Sequence, residues 1–161
     1  MEILTMSETI LRAAREDDRI SIMKVMESAN MHYIPSPEML ELDISCFFVA
    51  EVSGTIVGAA GYRILSPTTA KTTLMAVLPE YKGKGIGNIL QTRRMEEMYQ
   101  RGIKILTTNA DLPETISWYQ KHFGYRPVGK LKKQHEFGNP NISEWTTLEV
   151  NLEDWKHASH R

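Results

Sequence analysis

Apolar and polar positions along this chain fall into two periods, and each change of period marks an element. Thr9 to Ala14 predicts a short strand, after which Asp17 or Asp18 is placed to cap a helix whose Ile22, Met23 and Met26 recur at helical spacing. Ser36-Pro37-Glu38 sets a capping hydroxyl before a first-turn proline and an acid near the positive helix end, which predicts a short second helix running to about Asp43. Residues 46–52 and 55–65 are rich in β-formers and flank Ser53-Gly54, so two antiparallel strands should follow. Ser66-Pro67-Thr68-Thr69 marks a loop, and Thr72 to Val77 predicts a strand that must stop before Pro79, which has no N–H for a ladder.

The chain then changes character. Gly83-Lys84-Gly85-Ile86-Gly87 opens a helix ending near Gly102, a suitable left-handed cap. Its period is imperfect: Ile86, Ile89 and Leu90 share a face, but Arg93, Arg94 and Glu97 fall where the stripe should continue. Ile103 to Thr108 predicts a strand, and a strand–helix–strand crossover of this length makes 72–77 and 103–108 parallel neighbours. Pro113 to His122 predicts a last helix with Gly124 beyond its end. Strands near 125–134 and 142–151, separated by Gly138-Asn139-Pro140-Asn141, close the sheet.

Length and composition add limits. A chain of 161 residues with 42% hydrophobic and 24% charged residues suits one domain, 1–161, with its own core and flexible ends at 1–8 and 156–161. The lone Cys46 cannot close an intrachain disulfide, and its apolar surroundings predict buried packing in a reduced, cytoplasmic protein. No stretch approaches the ~20 apolar residues that cross a bilayer, and the first residues lack signal-peptide order, so no membrane partner is expected. A net charge of −1 removes the broad cationic field of a nucleic-acid binder.

The informative segment is Val77-Leu78-Pro79-Glu80-Tyr81-Lys82-Gly83-Lys84-Gly85-Ile86-Gly87, a strand that ends, turns through glycines and becomes a helix. Glycine lets backbone N–H groups approach an anion, and a helix start adds orphan donors and partial positive charge, so a pyrophosphate can sit on backbone alone. Lys82 and Lys84 add charge beside it. A P-loop would need Gly-Lys followed by Ser or Thr, which is absent. A Rossmann fingerprint would need glycine at Asn88 and an acid where Thr107 and Thr108 stand. The pattern that fits is Arg/Gln-x-x-Gly-x-Gly/Ala, occupied by Lys82, Gly85 and Gly87.

On these residues, the hairpin at 46–65 and Ser117-Trp118-Tyr119-Gln120-Lys121-His122-Phe123-Gly124-Tyr125, the chain resembles the GNAT superfamily of N-acetyltransferases. The resemblance covers most of the chain. It implies an α/β fold of α+β type: a mixed, mostly antiparallel sheet of six to seven strands flanked by about four helices, with two splayed parallel strands. It also implies acetyl-coenzyme A as cosubstrate, its pantetheine arm against Ala76 and Val77 like an added strand and its pyrophosphate on the N–H groups of Lys82, Gly83, Lys84, Gly85, Ile86 and Gly87. Asn109 would contact the arm from the next strand, Tyr119 would protonate the departing sulfur, and His32 and Tyr33 lie in the segment that covers the acceptor. Lys82 departs from the commoner Arg or Gln, and one extra residue separates Tyr119 from Gly124 relative to the commonest spacing.

The implied reaction moves acetyl to a primary amine by direct attack through a tetrahedral intermediate, with a backbone N–H near Val77 as oxyanion donor. Thr72-Thr73-Leu74-Met75-Ala76-Val77 contains no carboxylate for the base, which leaves water, Glu80, Glu51 or His135 open. His157 and His160 lack a third ligand, so no metal is expected. Lys130, Lys132 and Lys133 read as a solvated face, and Trp118, Trp145 and Trp155 as core or interface. A small-molecule amine is the favoured acceptor, with a peptide or protein N-terminus or lysine as the alternative and a non-catalytic coenzyme A-binding module as the rival of another class. Homodimerisation is left open.

Overall fold

Ser53 and Gly54 both take positive φ, 50° and 80°, the pair of values that a two-residue hairpin needs to match the right-handed twist of its strands. That turn joins β2 (Phe47–Val52) to β3 (Thr55–Ile64) in the computed structural model, which describes residues 8–29, 42–133 and 141–158. The other strands are β1 (Thr9–Ala13), β4 (Thr69–Val77), β5 (Ile105–Ala110), β6 (Arg126–Lys132) and β7 (Glu144–Asn151), and the helices are α1 (Arg19–Ser28), α2 (Ile86–Gln100), α3 (Pro113–Phe123) and α4 (Leu152–Ala158). The strands form one sheet in the order β1-β2-β3-β4-β5-β7-β6. β4 and β5 are parallel, whereas β1–β2, β2–β3, β5–β7 and β6–β7 are antiparallel, so the sheet is the mixed, mostly antiparallel one that the sequence implied.

Three elements differ from expectation. β4 begins at Thr69 rather than Thr72, and its parallel rungs fall at Thr69–Ile105, Ala70–Leu106 and Lys71–Thr107, ahead of the 72–77 stretch expected to pair. Both strands run on past these rungs, β4 to Val77 and β5 to Ala110. α4 was not anticipated, and it takes in residues 156–158 of the expected flexible end. Cys46 ends a short 3-10 turn and is half-buried beside the Asp43 carboxylate rather than packed in the core. The helix expected from Pro37 lies outside the described residues, apart from Leu42 and Asp43, which are not helical.

Contacts gather the chain into two units. The first runs to Tyr62 and includes Leu74–Arg94. Its α1 buries Ile22, Val25 and Met26, a stripe that differs from the expected one by Val25 in place of Met23. Asp18 precedes α1, but its carboxylate caps no helix amide. It accepts both terminal nitrogens of Arg12, at 2.8 and 3.1 Å, and the Arg15 N–H at 2.7 Å, while the Arg12 Nε donates to Glu51 at 3.0 Å. The Arg12 bond is the largest cause that holds the Asp18 carboxyl down at about 2. The second unit comprises Arg63–Thr73 and Met95 onward. It buries Leu106, Leu148, Val150 and Leu152 together with Tyr119, Phe123 and Tyr125.

Two outcomes follow. Because the folded Asp18 titrates below the unfolded value of 3.8, its stabilisation is present above that pH and is lost as pH falls towards about 2. Asp18→Asn should cost roughly 2–4 kcal/mol near neutrality by leaving Arg12 short of a partner. Urea denaturation over a pH series should show that difference shrinking below 3.8, and a constant difference would contradict the assignment. In the same unit, a Cβ on Gly58 would lie 3.0 Å from Leu90 Cδ1 and 3.2 Å from Ile86 Cγ2, so α2 can sit this close to β3 only over a glycine. Gly58→Val should lower stability by about 1–3 kcal/mol through overpacking, read as a drop in Tm.

Candidate active site

Pro79 cannot extend the β4 ladder, and the chain folds there into a short 3-10 turn, Pro79–Tyr81. The Leu78 N–H ties the turn to Val57 in β3 at 2.8 Å, and the Tyr81 N–H closes it onto the Leu78 carbonyl at 2.9 Å. Gly83 and Gly85 follow at φ 78° and 82°, a backbone that side chains with a Cβ rarely adopt. Gly85 then accepts the first helical bond, from the Ile89 N–H at 3.1 Å. Ile86 and Leu90, 2% and 0% exposed, anchor the opening turns of α2 in the first unit's core.

This geometry strands a row of donors. Among the described residues no acceptor is recorded for the N–H groups of Gly83, Lys84, Gly85, Ile86 and Gly87, whereas the Lys82 N–H already donates to the Pro79 carbonyl at 3.3 Å. Gly83, Lys84 and Gly85 are exposed, so the row is open to a ligand. The helix start adds partial positive charge, and the exposed side chains of Lys82 and Lys84 add two full charges. The Lys84 ammonium rests over the Tyr81 ring at 5.4 Å from its centroid, which holds it near the loop. The donor set therefore fits a diphosphate. On the preceding strand Ala76 is buried and Val77 half-buried.

Of the remaining named residues, Glu51 and Glu80 belong to the first unit, Asn109 and Tyr119 to the second, and the others lie outside the described residues. Asn109 is exposed on β5, where its Oδ1 accepts the Thr147 hydroxyl at 2.7 Å. Tyr119 lies on α3, 5% exposed, with its ring 5.0 Å from those of Trp118 and Tyr125 in edge-on contacts. Gly124 at φ 73° ends that helix in an αL cap and brings the Tyr125 N–H to the Tyr119 carbonyl at 3.3 Å. His32, Tyr33 and His135 lie outside the described residues. Glu51 is engaged by Arg12, while Glu80 is exposed. No group of three or more metal-ligating side chains occurs among the described residues.

Two buried features escaped the sequence reading. Lys130 and Lys132 are exposed as expected, but Lys133 is not part of a solvated face. Its ammonium pairs with Asp111 at 2.9 Å, with both side chains largely buried, and stands 4.5 Å from the Trp145 ring centroid. Asp111 also accepts the Leu112 N–H at 2.8 Å, just before α3. In the first unit Arg94 is fully buried on α2, at a position where the apolar stripe should continue. Lys133 is one residue past the end of β6, where strand alternation no longer sets its direction, so no period could have found it.

The comparisons with known proteins agree with this arrangement. The family model described as "Acetyltransferase (GNAT) family" matches residues 8–125. An uncharacterized N-acetyltransferase of Chlorobaculum tepidum is 28% identical over 130 residues, covering 77% of this chain and 79% of that one. An amino-acid acetyltransferase of Aeromonas salmonicida is 27% identical over 134 residues, 79% of this chain but 29% of the relative. The solved structure of Ard1 from Thermoplasma volcanium shares the fold at a TM-score of 0.74 and 18% identity, over 89% of this chain and 97% of that one. With a strand, a glycine turn of stranded amides and a helix inside a family match that spans most of its length, this chain belongs to the GNAT superfamily of acetyltransferases.

Proposed function

We propose that this protein is an acetyl-coenzyme A-dependent N-acetyltransferase acting on a primary amine of a small molecule. The observation that carries the reading is the row of uncommitted N–H groups from Gly83 to Gly87 at the start of α2, flanked by Lys82 and Lys84. These amides bind the diphosphate, and the two ammonium groups add attraction without the bidentate geometry an arginine would bring. Ala76 and Val77 offer strand-end backbone to the pantetheine arm, and the Asn109 NH2 a further donor. Acetyl-coenzyme A supplies an activated acyl thioester and a thiolate leaving group. The Tyr119 hydroxyl is the proton donor to that sulfur, and a backbone N–H near Val77 is the oxyanion donor. The family match spans residues of both units, which supports their acting as one acetyltransferase domain. The likeness to an amino-acid acetyltransferase and the absence of a strongly charged groove among the sequence signals favour a small acceptor over a peptide.

Thiol release from acetyl-coenzyme A across a panel of amines, amino acids and peptides tests the assignment. Turnover confined to peptides would move the acceptor to a protein terminus or lysine, and no turnover on any amine would leave a coenzyme A-binding module. Tyr119→Phe should lower kcat by ~10²–10⁴ with cofactor affinity retained. Unaltered turnover in that variant would remove Tyr119 from the mechanism.

A further inference from the structure

Arg94 is 0% exposed, a burial that arginine tolerates only when its guanidinium is well bonded. Its two terminal nitrogens diverge. Nη1 donates to the Gly61 carbonyl of β3 at 2.9 Å, while Nη2 reaches both the Gln91 side-chain oxygen, one turn earlier on α2, and the Met75 sulfur of β4 at 3.5 Å. One rigid, planar group therefore touches three segments of the first unit: β3, β4 and its own helix. Two of these carry the candidate cofactor contacts. Met75 directly precedes Ala76 and Val77, and α2 begins with the stranded amides about two turns before Arg94.

An apolar side chain in the same stripe would pack the core at least as well, because replacing buried charge by hydrophobic volume is often neutral or stabilising. What an apolar residue cannot do is fix where α2 stands along β3 and β4, since dispersion contacts are not directional whereas a forked guanidinium is. We infer that Arg94 is a positioning residue for acetyl-coenzyme A: by clamping Gly61, Met75 and Gln91 it holds the amides at the start of α2 in register with the end of β4. This rests on the acetyl-coenzyme A reading above. Loss of the clamp lets the helix settle by a fraction of an ångström against the strand, enough to spread donors that must meet one diphosphate and one arm together.

The test is coenzyme A affinity by isothermal titration calorimetry on variants whose folding is established by circular dichroism and a cooperative melt. Arg94→Met should weaken binding ~10-fold or more and raise KM for acetyl-coenzyme A while kcat at saturation changes less than about threefold. Arg94→Lys keeps the charge but not the fork and should fall between wild type and Arg94→Met, and Gln91→Leu should weaken binding severalfold. An arginine that serves stability alone would lower the melting temperature and leave the affinity of the folded protein unchanged. Binding within twofold of wild type in folded Arg94→Met and Gln91→Leu would overturn the inference. Should Arg94→Met fail to fold, Arg94→Lys decides: wild-type affinity overturns the clamp and weakened affinity supports it. Failure of the wild-type protein to bind coenzyme A would instead overturn the cofactor reading, and the inference with it.

Discussion

An α-helix cannot satisfy its own first N–H groups, and in this chain the orphan donors of α2 are displayed rather than capped. A serine or aspartate before α2 would have folded back onto them, as N-cap residues usually do. Gly85 stands there instead, with no side chain to compete, and Gly83 two residues earlier takes the same positive φ. Five consecutive N–H groups are left for an anion, at the positive end of a fifteen-residue helix. The positive charge of Lys82 and Lys84 adds to that field, but the fixed geometry belongs to the backbone.

Such a row is useful only if the helix behind it does not move. The first unit holds α2 by two different means. Gly58 removes a Cβ so that Ile86 and Leu90 settle against β3, which sets how close the helix lies. Arg94 reaches out to Gly61 and Met75, which sets where along the strands it lies. Close packing and directional bonding divide the work, and each is read in a single buried residue that looks out of place in sequence: a glycine inside a strand and an arginine inside an apolar stripe.

How much of this was legible in sequence follows from which physical signals are local. The positive-φ turns at Ser53-Gly54 and Gly83–Gly85, the stop at Pro79 and the cap at Gly124 are dictated by the residues that occupy them, and they were read correctly. The parallel rungs at Thr69–Lys71 were placed too late because the Pro67 loop signal masked a strand that restarts at once. α4 was missed because the strand pattern to Asn151 passes directly into it without a gap. The charged contacts were not legible: the Lys133–Asp111 pair and the Arg94–Gly61 bond join residues far apart in the chain, the Asp18–Arg12 fork spans a strand end and a turn, and no periodicity encodes any of them. The candidate site was readable as a loop and a helix start, while the support beneath it was not.

The proposed grip on the cofactor's diphosphate is made by main-chain amides rather than charged side chains. A crystal structure of the protein with coenzyme A measures this directly. Diphosphate oxygens should lie within hydrogen-bond distance of the N–H groups of Gly83 to Gly87, with the lysine ammoniums peripheral. A diphosphate seated elsewhere, or held by Lys82 and Lys84 with those amides facing water, contradicts it.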